Sequence, residues 1–198
     1  MKKILLLSDT HGYIDDHIME YVNVADEVWH AGDIGSVKVT DTISNIKPLR
    51  AVYGNIDGTE LRTSFPKYLV FACEGVKVFM THIGGWPSSY AEGIDQQIKS
   101  VKPKIFICGH SHILKIQFDK THQVLFINPG AMGKQGFHKV RTMVRFELSK
   151  GKIRKIENLN KFVGLRFLNL SYNAITKIEG LNHLPNLVEL NLAAPLLY

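Results

Sequence analysis

KILLLSDTHG, residues 3–12, is the stretch on which the reading of the first 150 residues turns. Ile4 to Leu7 are apolar without a break, after which the chain becomes polar at Ser8 and Asp9 and reaches His11 and Gly12. A continuous apolar run of this length suits a strand covered on both faces. A polar residue at its carboxyl end lies where ligands collect in open α/β sheets. Four further runs repeat the plan: EVWHAGD (27–33), LRAVYGN (49–55), KVFMTH (77–82) and KIFICGH (104–110). Helical patterns are expected between them near 14–23, 38–46 and 90–101, the last opened by Ser89-Tyr-Ala-Glu92 with capping-box spacing. Alternation of this kind predicts an α/β fold. The later runs LKIQFDK (114–120), QVLFINPG (123–130), VRTMVRFELS (140–149) and KIRKIE (152–157) carry turns but no helix between them, and predict hairpins in a second sheet.

The five runs close on Asp9 with His11, Asp33, Asn55, His82, and His110 with His112. Each residue alone has a plain explanation, because Asp and Asn favour turns and a lone histidine is usually core or surface. Together they bring four imidazoles, two carboxylates and one amide oxygen toward one place. That exceeds the three protein ligands of a catalytic zinc and suits two cations about 3.5–4 Å apart. A carboxylate such as Asp33 can bridge them. Mixed nitrogen and oxygen donors suit manganese, iron or zinc better than calcium. His17, His30, His122, His138 and His183 have no such support and read as structural or solvated, although His30 is near enough to Asp33 to back it. Lys134, His138, Lys139 and Arg141 can attract an anionic substrate, but a charge run is usually a solvated face, and they stay outside the expected site. Asn128-Pro-Gly130 reads first as a turn.

Composition sets the bounds. Of 198 residues, 45% are apolar and 21% charged, which is globular and not disordered. Cys73 and Cys108 both sit in apolar runs and are expected as reduced core thiols. The basic start is followed by only four apolar residues before Ser8, too few for a secretory leader, and no later run approaches membrane-spanning length. A cytoplasmic address without membrane attachment is expected. A net charge of +6 favours acidic partners or substrates; nucleic acid is permitted but not indicated, and self-association is left open.

Taken in order, S-D-T-H-G (8–12), A-G-D (31–33), G-N-I-D (54–57), T-H (81–82), G-H-S-H (109–112) and I-N-P-G (127–130) resemble the calcineurin-like metallophosphoesterases, and within them the small bacterial phosphodiesterases. The resemblance covers roughly the first 155 residues. It implies a two-sheet sandwich flanked by helices in four layers. It places Asp9, His11 and His112 on one metal, Asn55, His82 and His110 on the other, and Asp33 on both, with Asn55 also meeting the phosphate. The implied cofactor is a pair of divalent ions, manganese first, with iron, zinc and nickel as alternatives. The implied activity is phosphodiester hydrolysis by a hydroxide bridging the two metals, with no catalytic residue beyond the ligands. Many relatives carry a leaving-group histidine after the asparagine, but Ile56 stands there. The contrasting expectation is a non-catalytic scaffold on the same fold, whose hallmark would be missing ligand residues; none is missing.

Composition shifts near residue 152. Fourteen of the sixteen glycines lie before it and seven of the eleven asparagines after it. Residues 153–174 align with 175–196 at an offset of 22, bringing Ile153, Ile156, Leu159, Phe162, Leu165, Leu168 and Leu170 onto Ile175, Ile178, Leu181, Leu184, Leu187, Leu190 and Leu192. Leu165, Leu168, Leu170 and Asn173 fit the L-x-x-L-x-L-x-x-N pattern of a leucine-rich repeat. The expected division is therefore a phosphoesterase-like domain at 1–152 and a repeat segment at 153–198, a candidate surface for a protein partner. Two repeats are too few to bury a core alone. They must lean on something else, and KIRKIE can serve both parts.

Overall fold

The computed structural model describes residues 1–138 and 140–157 and three short strands beyond them, Phe167–Asn169, Lys177–Ile178 and Glu189–Asn191. The chain opens with β1 (Lys2–Leu7), α1 (Asp16–Val24), β2 (Glu27–His30), α2 (Val37–Ser44) and β3 (Leu49–Ala51). These three strands pair in parallel, joined by helical crossovers. After α3 (Thr59–Ser64) come the antiparallel hairpin β4 (Tyr68–Cys73) and β5 (Val76–Thr81), the short pair β6 (Gly85–Trp86) and β7 (Ser89–Tyr90), α4 (Ile94–Val101) and β8 (Ile105–Ile107). Two hairpins follow, β9 (Leu114–Asp119) with β10 (Val124–Pro129) and β11 (Val144–Ser149) with β12 (Lys152–Glu157); the three short strands are β13, β14 and β15 in chain order.

Two mixed sheets result. One runs β14-β12-β11-β1-β2-β3 and the other β15-β13-β9-β10-β8-β5-β4. Strand alternation explains the unbroken apolar runs. Ile4 and Leu6 point inward to meet Val78, Met80, Ile105, Ile107 and Ile127 across the sandwich. Leu5 and Leu7 point outward under Ile18 and Val22 of α1 and Val39 and Ile43 of α2. On the far sheet Phe79, Phe106 and Phe126 lie under Ile94 and Ile98 of α4. Both faces of both sheets are thus covered near the centre, in the four layers expected. Cys73 and Cys108 are buried free thiols. Among the described residues no helix is long and apolar enough to cross a membrane.

Three expectations change. The strands are shorter than the apolar runs, so the polar residues that close each run sit in loops just past the strand ends. The last of the three expected helices, α4, begins at Ile94 behind Gly93, with no side-chain cap, while Ser89 and Tyr90 form β7. Tyr90 is held there because its hydroxyl donates to Asp119 at 2.7 Å and its ring packs on Phe106. Finally, β11 and β12 join the first sheet, not the second. Ile4 faces Phe146 in the antiparallel register of β1 and β11, and this puts Val144, Phe146 and Leu148 into the core between the sheets.

The repeat offset reappears as strand register. Lys155 pairs with Lys177 and Ile156 with Ile178, and Phe167, Leu168 and Asn169 pair with Glu189, Leu190 and Asn191, each residue meeting the one 22 positions on. β14 extends the first sheet through β12, and β13 and β15 extend the second through β9. β12 thus pairs with β11 on one side and β14 on the other. The repeat positions between these strands, including Leu159, Phe162, Leu165, Leu170 and Asn173, and also His183, lie outside the described residues.

The helix that covers β1 and β2 begins at an N-cap, Asp15, whose carboxylate accepts from the Ile18 N–H at 2.9 Å and pairs with Arg141 at 3.1 Å. Burial raises its pKa, but the Tyr13 hydroxyl, the Ile18 N–H and Arg141 outweigh it and hold the carboxyl down at about 2. A carboxyl held below its ordinary 3.8 stabilises the fold above that pH and loses the contribution as pH falls through about 2. Asp15→Ala is expected to cost about 1 kcal/mol in urea unfolding at pH 7. The gap to the parent should close between pH 4 and 2.

Candidate metal centre

The loops that leave β1, β2, β3, β5 and β8 meet at one end of the sandwich, and they meet under strain. Among the described non-glycine residues with left-handed backbone, five are Asp9 (φ 53°), His11 (48°), Asp33 (52°), His110 (68°) and His112 (57°). Asp and His are among the residues that tolerate this region best, but it still costs of order 1 kcal/mol each. Such residues persist where the surrounding structure holds them, and they gather at functional sites. Here the holding contacts are backbone bonds between loops: Asp9 N–H to Gly32 O at 2.9 Å, His11 N–H to Asp33 O at 3.0 Å and Gly109 N–H to His82 O at 2.9 Å.

Two groups of donors form. Asp9, His11 and His112 offer ligand atoms within 4.8 Å of one another, and so do Asp33, His82 and His110. His112 Nε2 lies 3.1 Å from Asp9 Oδ1 and 3.5 Å from His11 Nε2. Asp33 spans the two groups, with Oδ1 3.2 Å from His82 Nε2 and Oδ2 3.9 Å from His11 Nε2. Asp9, Asp33 and His82 are buried, whereas His110 and Asn55 are exposed at the mouth. Asn55 is brought to the same end by the β3 loop, with its neighbour Ile56 donating its N–H to Asp33 Oδ1 at 3.1 Å.

This donor set fits divalent cations. Asp9 Oδ1 and His82 Nε2 are buried and make only ion-pair contacts, to His112 Nε2 at 3.1 Å and Asp33 Oδ1 at 3.2 Å respectively and to each other at 4.0 Å. Buried polar atoms in native proteins are nearly always hydrogen-bonded, so a cation among these carboxylates and imidazoles would complete the structure. The electrostatics agree. Burial disfavours charge on His82, but Asp33 and Asp9 outweigh it and raise the imidazole pKa; Asp9 raises that of His112 against burial. Burial likewise opposes the charge on Asp33, yet His82 and His11 hold its carboxyl below the ordinary range. The site favours added positive charge.

Several supporting residues lie outside the expected set. Asp57, buried, accepts from the N–H groups of Gly35 at 2.7 Å, Gly54 at 2.8 Å and Ile34 at 3.2 Å, and so ties the Asn55 loop to the Asp33 loop. Arg62 clasps the same loop by donating to the carbonyls of Gly54, Asn55 and Asp57. His30 is fully buried, and burial pushes its pKa down to about 4. Neutral, it accepts from Gly32 N–H at 3.2 Å and donates to Thr10 Oγ1 at 2.8 Å, pinning the residue between Asp9 and His11. Asn128 is more than a turn former: its amide donates to Gly109 O at 2.7 Å and Ser111 Oγ at 3.0 Å, fixing the His110–His112 loop. The G-N-I-D string did contain Asp57, but no spacing rule singles out Arg62. Of the basic run, Lys134 and Arg141 lie over the Tyr13 ring, Lys139 is outside the described residues, and His138 touches His112. That last contact corrects the reading of His138 as merely structural or solvated.

Residues 1–151 match the family model of the calcineurin-like phosphoesterase superfamily domain, and residues 163–196 match a model of two leucine-rich repeats. A probable metallophosphoesterase of Mycoplasma pneumoniae is 31% identical over 163 residues, covering 77% of this chain and 94% of its own. An archaeal phosphodiesterase of known structure is 25% identical, with a TM-score of 0.56 over 77% of this chain and 97% of its own. The zinc complex of Vps29 from Entamoeba histolytica shares the fold at 16% identity and a TM-score of 0.62, over 76% of this chain and 88% of its own.

The close approach of loops yields a test. A Cβ on Gly54 would stand 2.0 Å from Asp33 Oδ1, while one on Gly58 would meet nothing within 4 Å. Gly54→Ala is expected to displace Asp33 and weaken manganese binding in calorimetric titration by at least about tenfold. Gly58→Ala should bind as the parent does.

Proposed function

The chain belongs to the calcineurin-like phosphoesterase superfamily, and from that premise we propose that it is a metal-dependent phosphodiesterase. The observation that carries the reading is the pair of three-residue donor groups spanned by Asp33 at the meeting point of five loops. Asp9, His11 and His112 hold one divalent ion, His82, His110 and Asn55 the other, and Asp33 both. Manganese is the proposed pair. When bound, two such ions supply an acidified bridging hydroxide and offset charge that builds on phosphorus in the transition state.

The chain's own residues then set the substrate. Asn55, exposed at the mouth, orients the phosphate by donating from its amide. Water adds through oxygen to phosphorus, the opposite P–O ester bond breaks, and the leaving oxygen takes a proton. No histidine follows Asn55 to give that proton, since Ile56 stands there and is exposed. Ile83 and Ile113, which follow His82 and His112 in the chain, are exposed as well. Diesters whose leaving group needs little protonation, such as aryl esters, suit this site best. For the rest of the chain we keep the division at 152–153 with β12 shared, and propose the leucine-rich segment as a surface for a protein partner.

Chelator-stripped protein is expected to be silent toward a bis-aryl phosphodiester and to regain turnover when manganese is restored. Asp33→Asn should abolish that turnover, by at least about 100-fold, because one side chain serves both ions. Folded, metal-loaded protein that hydrolyses no diester would overturn the reading in favour of a scaffold.

A further inference from the structure

The loop from 130 to 138 wraps around one of the two donor groups. Met132 N–H donates to Ser8 O at 3.0 Å and Gly133 N–H to Asp9 O at 2.9 Å, so the loop is fastened to the strand that delivers Asp9. At its far end His138 Nδ1 lies 3.3 Å from His112 Nδ1, and His138 Nε2 lies 3.0 Å from Gly133 O. The rings meet edge to face, with centroids 5.2 Å apart. Gly136 crosses this pair with φ 115°, and a Cβ there would stand 2.4 Å from His112 Nδ1. Only glycine lets the chain pass so near.

The hydrogen-bond chemistry of the chain of groups assigns a role to the nitrogens of His138 and to His112 Nδ1. A carbonyl can only accept, so His138 Nε2 carries the proton toward Gly133 O. In a neutral imidazole the other nitrogen then has a free lone pair, so His138 Nδ1 accepts. His112 Nδ1 is therefore the donor, and His112 Nε2, which faces Asp9 Oδ1 at 3.1 Å, is the nitrogen left for a cation in place of a proton shared with Asp9. That is the tautomer a cation needs, and metal-bound histidines commonly have it fixed by a partner on the second nitrogen. We propose that His138 is a positioning residue of the metal centre, which holds His112 in the tautomer and ring orientation that present Nε2 to a cation. The proposal rests on the metal-binding reading of His112. It predicts an asymmetry between the two groups, because no contact links His138 to Asp33, His82 or His110 among the described residues.

The test is manganese titration of the full chain by calorimetry, with bound metal counted by mass spectrometry, for the parent, His138→Ala and His138→Asn. The parent should bind two ions. The alanine variant should lose about 10–100-fold in affinity for one ion and keep the other unchanged. Asparagine can place an acceptor oxygen where Nδ1 lies, and is expected to restore most of the lost affinity. In zinc-loaded protein, nitrogen-15 NMR should show the His112 proton on Nδ1 in the parent and lose that signature in the alanine variant. Two ions held with parental affinity by folded His138→Ala, or an asparagine variant as weak as alanine, would overturn the proposal. A parent that binds no metal would instead overturn the reading beneath it.

Discussion

Asp9 and Asp33 bring two carboxylates into the interior at one end of the sandwich, and almost everything around them is arranged to make that tolerable. A buried charge left uncompensated costs several kcal/mol. Both carboxylates face His82 Nε2, at 4.0 Å and 3.2 Å, and four imidazoles surround them. The left-handed backbone at Asp9, His11, Asp33, His110 and His112 is the local cost of aiming these side chains inward from loops. The inter-loop hydrogen bonds from Asp57, His30 and Asn128 hold that backbone in place.

The two sheets make this possible because each delivers its own half. β1, β2 and β3 bring Asp9, His11, Asp33 and Asn55; β5 and β8 bring His82, His110 and His112. Neither sheet alone assembles both donor groups, since Asp9 and His11 need His112 from across the sandwich and Asp33 needs His82 and His110. Packing of Ile4 and Leu6 against Val78, Met80 and Ile107 therefore sets the geometry of the centre as well as the stability of the fold. Of the described strands beyond residue 157, β14 extends the first sheet through β12, and β13 and β15 extend the second through β9.

Much of this was legible in the chain itself. Unbroken apolar runs signal strands covered twice, and Leu5 and Ile4 do face opposite layers. Polar residues recurring at run ends signalled the site, and the 22-residue offset signalled the strand register of β12 with β14 and of β13 with β15. What escaped was whatever depends on contacts distant in sequence. The assignment of β11 to the first sheet follows from Phe146 filling the inter-sheet core. The loss of the Ser89 cap follows from Tyr90 reaching Asp119. Arg62 and His138 act through backbone carbonyls and a second imidazole, partners that leave no spacing pattern along the chain.

The central claim is that Asp33 is shared by two cations held in two separate donor groups. The most direct measurement is an anomalous difference map from crystals of the full chain equilibrated with manganese. The account predicts two peaks about 3.5–4 Å apart, one beside Asp9, His11 and His112 and one beside His82 and His110, with Asp33 between them. A single peak, or none beside these residues in well-ordered crystals, would contradict it.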